Sequence, residues 1–172
     1  MSRKISDLQY PFREKTMLFI HACNEAGLQV LIYCTKRTFE EQARLYRKGR
    51  SFQEIQNKAV ELKTVYRRPD LAEILLSVGP QSGKNIVTWA GPGQSLHNYG
   101  QAFDGCPTEE GKPVWDTKEP EHTALWLKYG EIAKSFDLIW AGDWSKEKRE
   151  FPHVQQPGIQ WQELIRAGGI GF

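Results

Sequence analysis

The sequence has few cysteines and no pattern that would pair them. Cys23, Cys34 and Cys106 are odd in number and widely spaced, and no Cys-x-x-Cys pair occurs. This spacing argues against a disulfide framework and against a cysteine-only zinc site. We therefore expect reduced thiols in a protein made in the cytosol. The 172 residues are enough for one domain with a core that needs no covalent staples.

Long apolar runs and a strong charge of one sign are also missing. No apolar stretch approaches the length that spans a membrane, and the first residues lack the apolar segment of a signal peptide. The net charge of +2 is too small to indicate a nucleic-acid partner. We expect a monomer that is synthesised in the cytoplasm without a signal peptide and has no stable membrane association.

Helix and strand signals fill the chain without regular alternation. Ser or Thr followed three residues later by Glu predicts helix starts at Thr38 and Ser51. Further helices are predicted over 12–26, 69–77, 119–136 and 159–167, and strands over 28–34, 86–90, 102–104 (ended by Pro107), 138–140 and 153–155. No repeat or linker interrupts the pattern. We predict one α+β domain over residues 1–172, with a small, mostly antiparallel sheet flanked by helices.

Two of the four histidines lie near carboxylates in the sequence. His97 precedes Asp104, and Glu150 precedes His153 by three residues. A zinc hydrolase needs three nitrogen or oxygen ligands and one open position, and a further carboxylate can accept a proton from water. This spacing alone is common. The other two histidines have no expected partner at ligand spacing.

Four ordered motifs between about residues 30 and 155 give a stronger signal. They are Tyr-Cys-Thr-Lys-Arg-Thr at 33–38 with Gln42, Ser-x-His-x-x-Gly-x-Ala-x-Asp at 95–104, Trp-x-Gly-Asp-Trp at 140–144, and Glu-x-Pro-His at 150–153. Together they resemble the D-alanyl-D-alanine carboxypeptidase and L-alanyl-D-glutamate endopeptidase family. That family includes vancomycin-resistance D,D-peptidases and several bacteriophage endolysins.

The resemblance implies a role for particular residues. It implies His97, Asp104 and His153 as zinc ligands, Glu150 as catalytic base, and Arg37 as the cation that stabilises the oxyanion. An always-charged guanidinium suits that last role. The resemblance places Ser95 and Gln42 in the substrate cleft, and we expect Trp140 and Trp144, which flank the site, to form its walls. The implied fold resembles hedgehog-type and D-Ala-D-Ala peptidase domains, with zinc in an open groove of the small sheet.

Several alternatives remain open at this stage. Asp143 is a rival to Glu150 as base, although it fits the role of a loop anchor better. Cys106, two residues after Asp104, would share its strand face and could reach the metal. Manganese or iron could occupy a site of two histidines and one carboxylate.

The resemblance predicts a peptidase that acts on the stem peptide of peptidoglycan. The favoured activity is an L-alanyl-D-glutamate endopeptidase that serves as a phage or prophage endolysin and acts at the cell wall after release. A D-alanyl-D-alanine carboxypeptidase or dipeptidase is the alternative within the enzyme class. A non-catalytic zinc-binding module is the alternative outside it, and the presence of both Glu150 and Arg37 argues against it.

Overall fold

The computed structural model describes residues 1–81 and 83–168, which form two compact units. The sheet unit comprises Ser2–Lys36 and Gly100–Gly158. The helical unit comprises Met1, Arg37–Tyr99 and, at the end of the described chain, residues 159–168. That all 172 residues act as one domain stays a prediction, and the last four of them lie outside the described residues.

Within the described residues, six α-helices and five strands follow one another. In chain order they are α1 (Phe12–Glu25), β1 (Gln29–Cys34), α2 (Phe39–Arg47), α3 (Phe52–Thr64), α4 (Pro69–Ser77), β2 (Ala102–Glu109), β3 (Lys112–Pro113), α5 (Pro120–Ser135), β4 (Ile139–Trp140), β5 (His153–Gln155) and α6 (Trp161–Arg166). Single 3-10 turns cover Ile5–Asp7, Leu96–Tyr99 and Ala141–Asp143. No helix in residues 1–81 or 83–168 is long and apolar enough to cross a membrane.

Both predicted capping boxes are confirmed. The Thr38 hydroxyl accepts a hydrogen bond from the backbone N–H of Glu41, and the Glu41 carboxylate accepts one from the N–H of Thr38. Ser51 and Glu54 make the same reciprocal pair at the start of α3. Each box satisfies two N–H groups that the first turn of a helix leaves without a partner.

The strands of the sheet unit form one antiparallel sheet in the order β1-β2-β5-β4, with β3 paired to β2. The predicted α+β class with a small antiparallel sheet is therefore confirmed. The predicted strand at 86–90 is wrong, because the described residues there have no strand partner. Val87 is 54% exposed and Trp89 75% exposed, so the apolar residues of this segment do not face a core.

The prediction that Pro107 ends its strand is also wrong. β2 continues to Glu109, with Pro107 paired opposite Val30 of β1. Proline has no N–H to donate, but its carbonyl still accepts a hydrogen bond from the N–H of Val114 at 2.9 Å. The Cys106 thiol contacts the carbonyl oxygen of Val114 at 3.3 Å. Beyond the proline, Thr108 is paired with Gln29 of β1 and with Pro113 of β3.

An aromatic cluster fills the core of the sheet unit. Phe19 of α1 packs against Phe103 of β2 at 5.6 Å between ring centroids, and edge-on against Tyr129 of α5 at 5.2 Å. Trp126 joins Tyr129 to Phe151, which lies just before β5. Such offset and edge-on pairs stabilise a core beyond the burial of their area. The cluster thereby connects both helices of this unit to the segment that enters β5.

The helical unit has its own apolar core, to which α2, α3, α4 and α6 each contribute. Leu62, Leu71, Leu75 and Ile165 are almost completely buried in it. The Arg47 guanidinium donates from within this core to the carbonyl oxygens of Leu75 and Leu76 at the end of α4. A cation at a helix C-terminus offsets the partial negative charge of the free carbonyls.

The side-chain ring of Trp140 in β4 explains why two nearby positions are glycine. A Cβ atom at Gly130 would lie 2.1 Å from the Trp140 ring, and so would one at Gly142. Neither position has room for alanine unless the ring moves. The glycine of the Trp-x-Gly-Asp-Trp motif is therefore explained by packing.

We predict that Gly130→Ala destabilises the fold. At an exposed helix position, this change stabilises by about 1 kcal/mol, because glycine is the poorer helix former. In α5 the added methyl group overpacks the core against Trp140, and we expect a net loss of about 1–3 kcal/mol. Thermal unfolding followed by circular dichroism measures it. Glu131→Ala, at the exposed neighbouring position, is the control, and a stabilised Gly130→Ala protein would contradict the packing explanation.

Candidate active site

Asp104 and His153 meet in the middle of the sheet. They are directly paired residues of β2 and β5, and their Oδ1 and Nδ1 atoms lie 3.2 Å apart. Both side chains are buried, with Asp104 6% exposed and His153 8% exposed. A buried carboxylate beside a buried imidazole costs desolvation energy that an ion pair or a bound cation has to offset. The sequence placed these two residues in one site, and the structure brings them together.

Burial and neighbouring acceptors have opposite effects on the pKa of His153. Burial lowers the pKa of His153, but the hydrogen bond and negative charge of Asp104 outweigh it, so the pKa is raised above its usual value. Gln155 and the charge of Glu150 act in the same direction. A site with this potential attracts cations, either a proton on the imidazole or a metal ion in its place.

A tight turn brings Glu150 to the entrance of β5. The N–H of His153 donates to the carbonyl oxygen of Glu150 at 3.2 Å, while the Glu150 side chain is exposed. The carbonyl oxygen of Pro152 accepts from the N–H of Gly105 and from the Tyr129 hydroxyl, each at 3.0 Å. A Cβ at Gly105 would lie 2.8 Å from that hydroxyl, so glycine leaves room for it.

Trp140 also holds this turn. Its indole N–H donates to the carbonyl oxygen of Phe151 at 2.7 Å, and its ring packs edge-on against the Phe151 ring at 5.7 Å. Trp140 is only 3% exposed, so the structure gives it a packing role, and its assignment to the substrate cleft stays a prediction. Trp144 is the tryptophan that lies against His153, with ring centroids 5.5 Å apart.

The loop before Glu150 is closed at its base. The backbone N–H groups of Trp144 and Glu150 both donate to the carbonyl oxygen of Ala141, at 3.2 and 3.3 Å. Asp143, the rival base, accepts a hydrogen bond from Lys134 at 2.9 Å, as a loop anchor would. These contacts hold the two ends of the loop together, and residues 145–150 between them are exposed.

In the helical unit, the backbone ties Arg37 to His97. The N–H of Arg37 donates to the carbonyl oxygen of His97 at 3.1 Å. The buried Asn98 side chain donates to the carbonyl oxygens of Arg37 and Thr38 and accepts from the N–H of Gly93 at 2.9 Å. His97 itself is 1% exposed. Two of the predicted site residues therefore lie together here, and Asn98 is a positioning residue that the sequence analysis missed.

Gln42 connects Arg37 to the loop that precedes the histidine motif. Its side-chain N–H donates to the carbonyl oxygen of Ala90 at 2.8 Å, and its Oε1 accepts from the Arg37 guanidinium at 3.4 Å. Gln42 is completely buried, while Ser95 is half-buried and its carbonyl accepts from the N–H of Asn98. These contacts favour a role for Gln42 in orienting Arg37. The assignment of Gln42 and Ser95 to a substrate cleft stays a prediction.

Cys34 lies beside Asp104. It is paired with Asp104 in the β1–β2 ladder, next to a register shift, and its Sγ lies within 4.8 Å of an Asp104 carboxylate oxygen. Cys106, which the sequence analysis considered, belongs to the apolar core, and burial raises the pKa of its thiol to about 11. Within the described chain, no disulfide joins these cysteines.

The expectation that His122 has no carboxylate partner is wrong. Its Nδ1 lies 3.2 Å from Asp116 and its Nε2 3.4 Å from Glu109, across the turn that joins β3 to α5. His21 lies 3.3 Å from Glu25 one helical turn away, and both are well exposed. The Asp116–His122 pair has the same separation as Asp104–His153 but is about a third exposed.

The buried carboxylate and imidazole suit a divalent metal ion. Two ligand atoms at about 2.1 Å from a tetrahedral zinc ion lie roughly 3.4 Å apart. The 3.2 Å between Asp104 Oδ1 and His153 Nδ1 is close to that separation. Nitrogen and carboxylate oxygen are also the ligand types that hydrolytic zinc sites use.

Comparison with known proteins confirms the resemblance predicted from the sequence. Residues 89–156 match the family model described as D-alanyl-D-alanine carboxypeptidase. The chain is 29% identical over 154 residues to the peptidoglycan L-alanyl-D-glutamate endopeptidase CwlK of Bacillus subtilis (strain 168). The alignment covers 87% of this chain and 74% of CwlK.

Solved structures extend the likeness to the fold. The LD-carboxypeptidase LdcB superposes with a TM-score of 0.51 and 16% identity, over 98% of this chain and 68% of LdcB. The vancomycin resistance D,D-pentapeptidase VanY, as a mutant in complex with Zn(II), gives a TM-score of 0.48 and 17% identity over 94% of this chain and 79% of its own. The first of these supports the same α+β fold.

We predict that Asp104→Ala abolishes tight binding of zinc. The loss should exceed the roughly 10- to 100-fold that removal of an outer hydrogen-bond partner costs, because a ligand itself is removed. Titration of the metal-free protein with zinc against a competing chelator measures it. Asp116→Ala is the matched control, because it removes a carboxylate at the same distance from a histidine on the surface. Equal affinities of the two variants would contradict a metal site at Asp104.

Proposed function

We propose that this chain is a zinc-dependent peptidase of the peptidoglycan stem peptide. Residues 89–156 match the family model described as D-alanyl-D-alanine carboxypeptidase, which supports the proposal. The observation that carries the proposal is the buried Asp104–His153 pair, whose facing atoms lie 3.2 Å apart. Both residues belong to the matched segment and occupy the motif positions that the resemblance assigns to metal ligands. His97, the third proposed ligand, lies in the same matched segment.

The donor set fits zinc. Two imidazoles and one carboxylate leave a fourth position open, as in catalytic zinc sites, whereas structural zinc sites are closed by four protein ligands. When bound, zinc would polarise the scissile carbonyl and lower the pKa of a water molecule towards about 7. Manganese and iron also accept this ligand set and are outcomes of a metal analysis.

Glu150 is the proposed general base. Its carboxylate is exposed, so it can accept the proton of the attacking water and pass it to the leaving amine. Its charge contributes to the raised pKa of His153, which supports a position near the metal ligands. Asp143 is a weaker candidate, because its carboxylate is held by Lys134.

Arg37 is the proposed electrostatic partner of the substrate. Its guanidinium is half-buried and offers a planar set of N–H donors. The side-chain oxygen of Gln42 accepts a hydrogen bond from the Arg37 guanidinium. The backbone N–H of Arg37 donates to the carbonyl oxygen of His97, which holds the Arg37 backbone in position. A positioned guanidinium can stabilise the negative oxygen that develops as the amide is attacked.

The bond that we propose is cut is the L-alanyl-D-glutamate bond, because the relative covering 87% of this chain is an endopeptidase for that bond. The setting would be a phage or prophage lysis system, as the resemblance to endolysins implies. The second candidate is a D-alanyl-D-alanine carboxypeptidase, which the description of the matching family favours.

Digestion of purified peptidoglycan distinguishes the two candidates. The protein is incubated with the wall, with and without a chelator, and the released fragments are analysed by mass spectrometry. We expect new L-Ala and D-Glu termini that disappear with the chelator and return with zinc. Release of D-Ala alone would support the carboxypeptidase. An absence of metal-dependent cleavage on several wall types would leave the non-catalytic metal-binding module.

We predict that Glu150→Gln keeps zinc affinity and loses activity. The amide cannot accept the proton from water, so the rate should fall by roughly 10²- to 10⁴-fold. Zinc affinity and wall digestion are measured on the same preparation. Glu147→Gln, an equal charge change in the same exposed loop, is the matched control and should keep full activity. Normal activity of Glu150→Gln would assign the base to another residue.

A further inference from the structure

The two ring nitrogens of His153 have different partners. Nδ1 faces Asp104 Oδ1 at 3.2 Å, and Nε2 faces the side-chain oxygen of Gln155 at 3.0 Å. His153 and Gln155 are two residues apart on β5, so their side chains lie on the same face of the sheet. β5 is paired with β2 on one side and with β4 on the other, so the backbone that carries His153 and Gln155 is held from both sides.

Only one of these nitrogens can share a metal ion with Asp104. Because Nδ1 points towards the carboxylate, Nδ1 is the atom that would bind the ion. A neutral imidazole carries one proton, so binding through Nδ1 requires that proton on Nε2. An Nε2–H group needs an acceptor in this buried setting, and the Gln155 oxygen is in place to be that acceptor.

We propose that Gln155 is a positioning residue, which holds the Nε2–H tautomer of His153 and thereby presents Nδ1 to the metal. The inference rests on the proposed function, because it takes His153 as a metal ligand. A partner on the second nitrogen fixes both ring orientation and tautomer, and its loss typically costs 10- to 100-fold in metal affinity.

The choice of an amide has a chemical consequence. A carboxylate at this position would also accept from Nε2–H and would make the imidazole more basic. It would add a third negative charge to the side of the site that already holds Asp104 and Glu150. The neutral amide of Gln155 accepts the same hydrogen bond without adding that charge.

Three variants and one spectroscopic measurement test the proposal. Gln155→Leu removes the acceptor at similar size, and Gln155→Glu keeps an acceptor. Gln156→Leu makes the same change one residue farther on and is the matched control, because consecutive side chains of an extended chain point to opposite faces. Zinc affinity of each folded protein is measured by chelator competition. Nitrogen-15 NMR of the zinc-loaded wild type reports which imidazole nitrogen of His153 carries the proton.

We expect Gln155→Leu to bind zinc about 10- to 100-fold more weakly, with Gln155→Glu and Gln156→Leu within a few-fold of the wild type or tighter. The wild-type NMR signal should show the proton on Nε2, with the downfield shift of a hydrogen-bonded N–H. A proton on Nδ1, or unchanged affinity of Gln155→Leu, would overturn the proposal and leave the proposed function standing. A wild type that binds no zinc would overturn both.

Discussion

The candidate site depends on the carbonyl oxygen of Pro152. It accepts one hydrogen bond from the β2 backbone at Gly105 and another from the Tyr129 hydroxyl of α5. The residue before it, Phe151, is held in turn by the Trp140 indole. A buried carbonyl oxygen left without a donor costs about 1–3 kcal/mol, so a change in the core that removes these donors also destabilises the turn. His153 directly follows this turn, and Glu150 begins it.

Small residues make that arrangement possible. Gly105 leaves space for the Tyr129 hydroxyl, and Gly130 and Gly142 leave space for the Trp140 ring. Glycine has no side chain that could bind a ligand, yet these glycines determine where the Tyr129 hydroxyl and the Trp140 ring can lie. The Trp-x-Gly-Asp-Trp motif therefore combines a packing ring, the space it needs and a loop anchor at Asp143, whose carboxylate bonds Lys134. Of its two tryptophans, the one that contacts His153 is Trp144.

Local rules predicted the helices well, because caps and helical periodicity act over a few residues. Thr38 and Ser51 start α2 and α3 as expected. The segment 86–90 has strand-like residues, but a strand needs a partner and a buried face, and this segment has neither in the described structure. Pro107 was expected to end its strand, but β2 continues to Glu109. The carbonyl of Pro107 accepts a hydrogen bond from the N–H of Val114, which follows β3.

Pairings between distant residues required more than local rules. Asp104 and His153 are 49 residues apart, and the register of β2 against β5 brings them together. Only the family resemblance predicted that they belong to one site. The partners of His122 were missed because they are contributed across a hairpin and a turn. Cys34 was missed beside Asp104 because the register shift in β1 has no signature in the sequence.

The carbonyl oxygen of Ala141, which accepts two hydrogen bonds, affects which sequence changes the neighbouring loop can tolerate. Both ends of the loop from Trp144 to Glu150 hydrogen-bond to one carbonyl, and the residues between are exposed. Insertions and exchanges in such exposed segments are tolerated when the backbone at their base is held. The loop can therefore lengthen, shorten or reverse its charge while Glu150 stays in place.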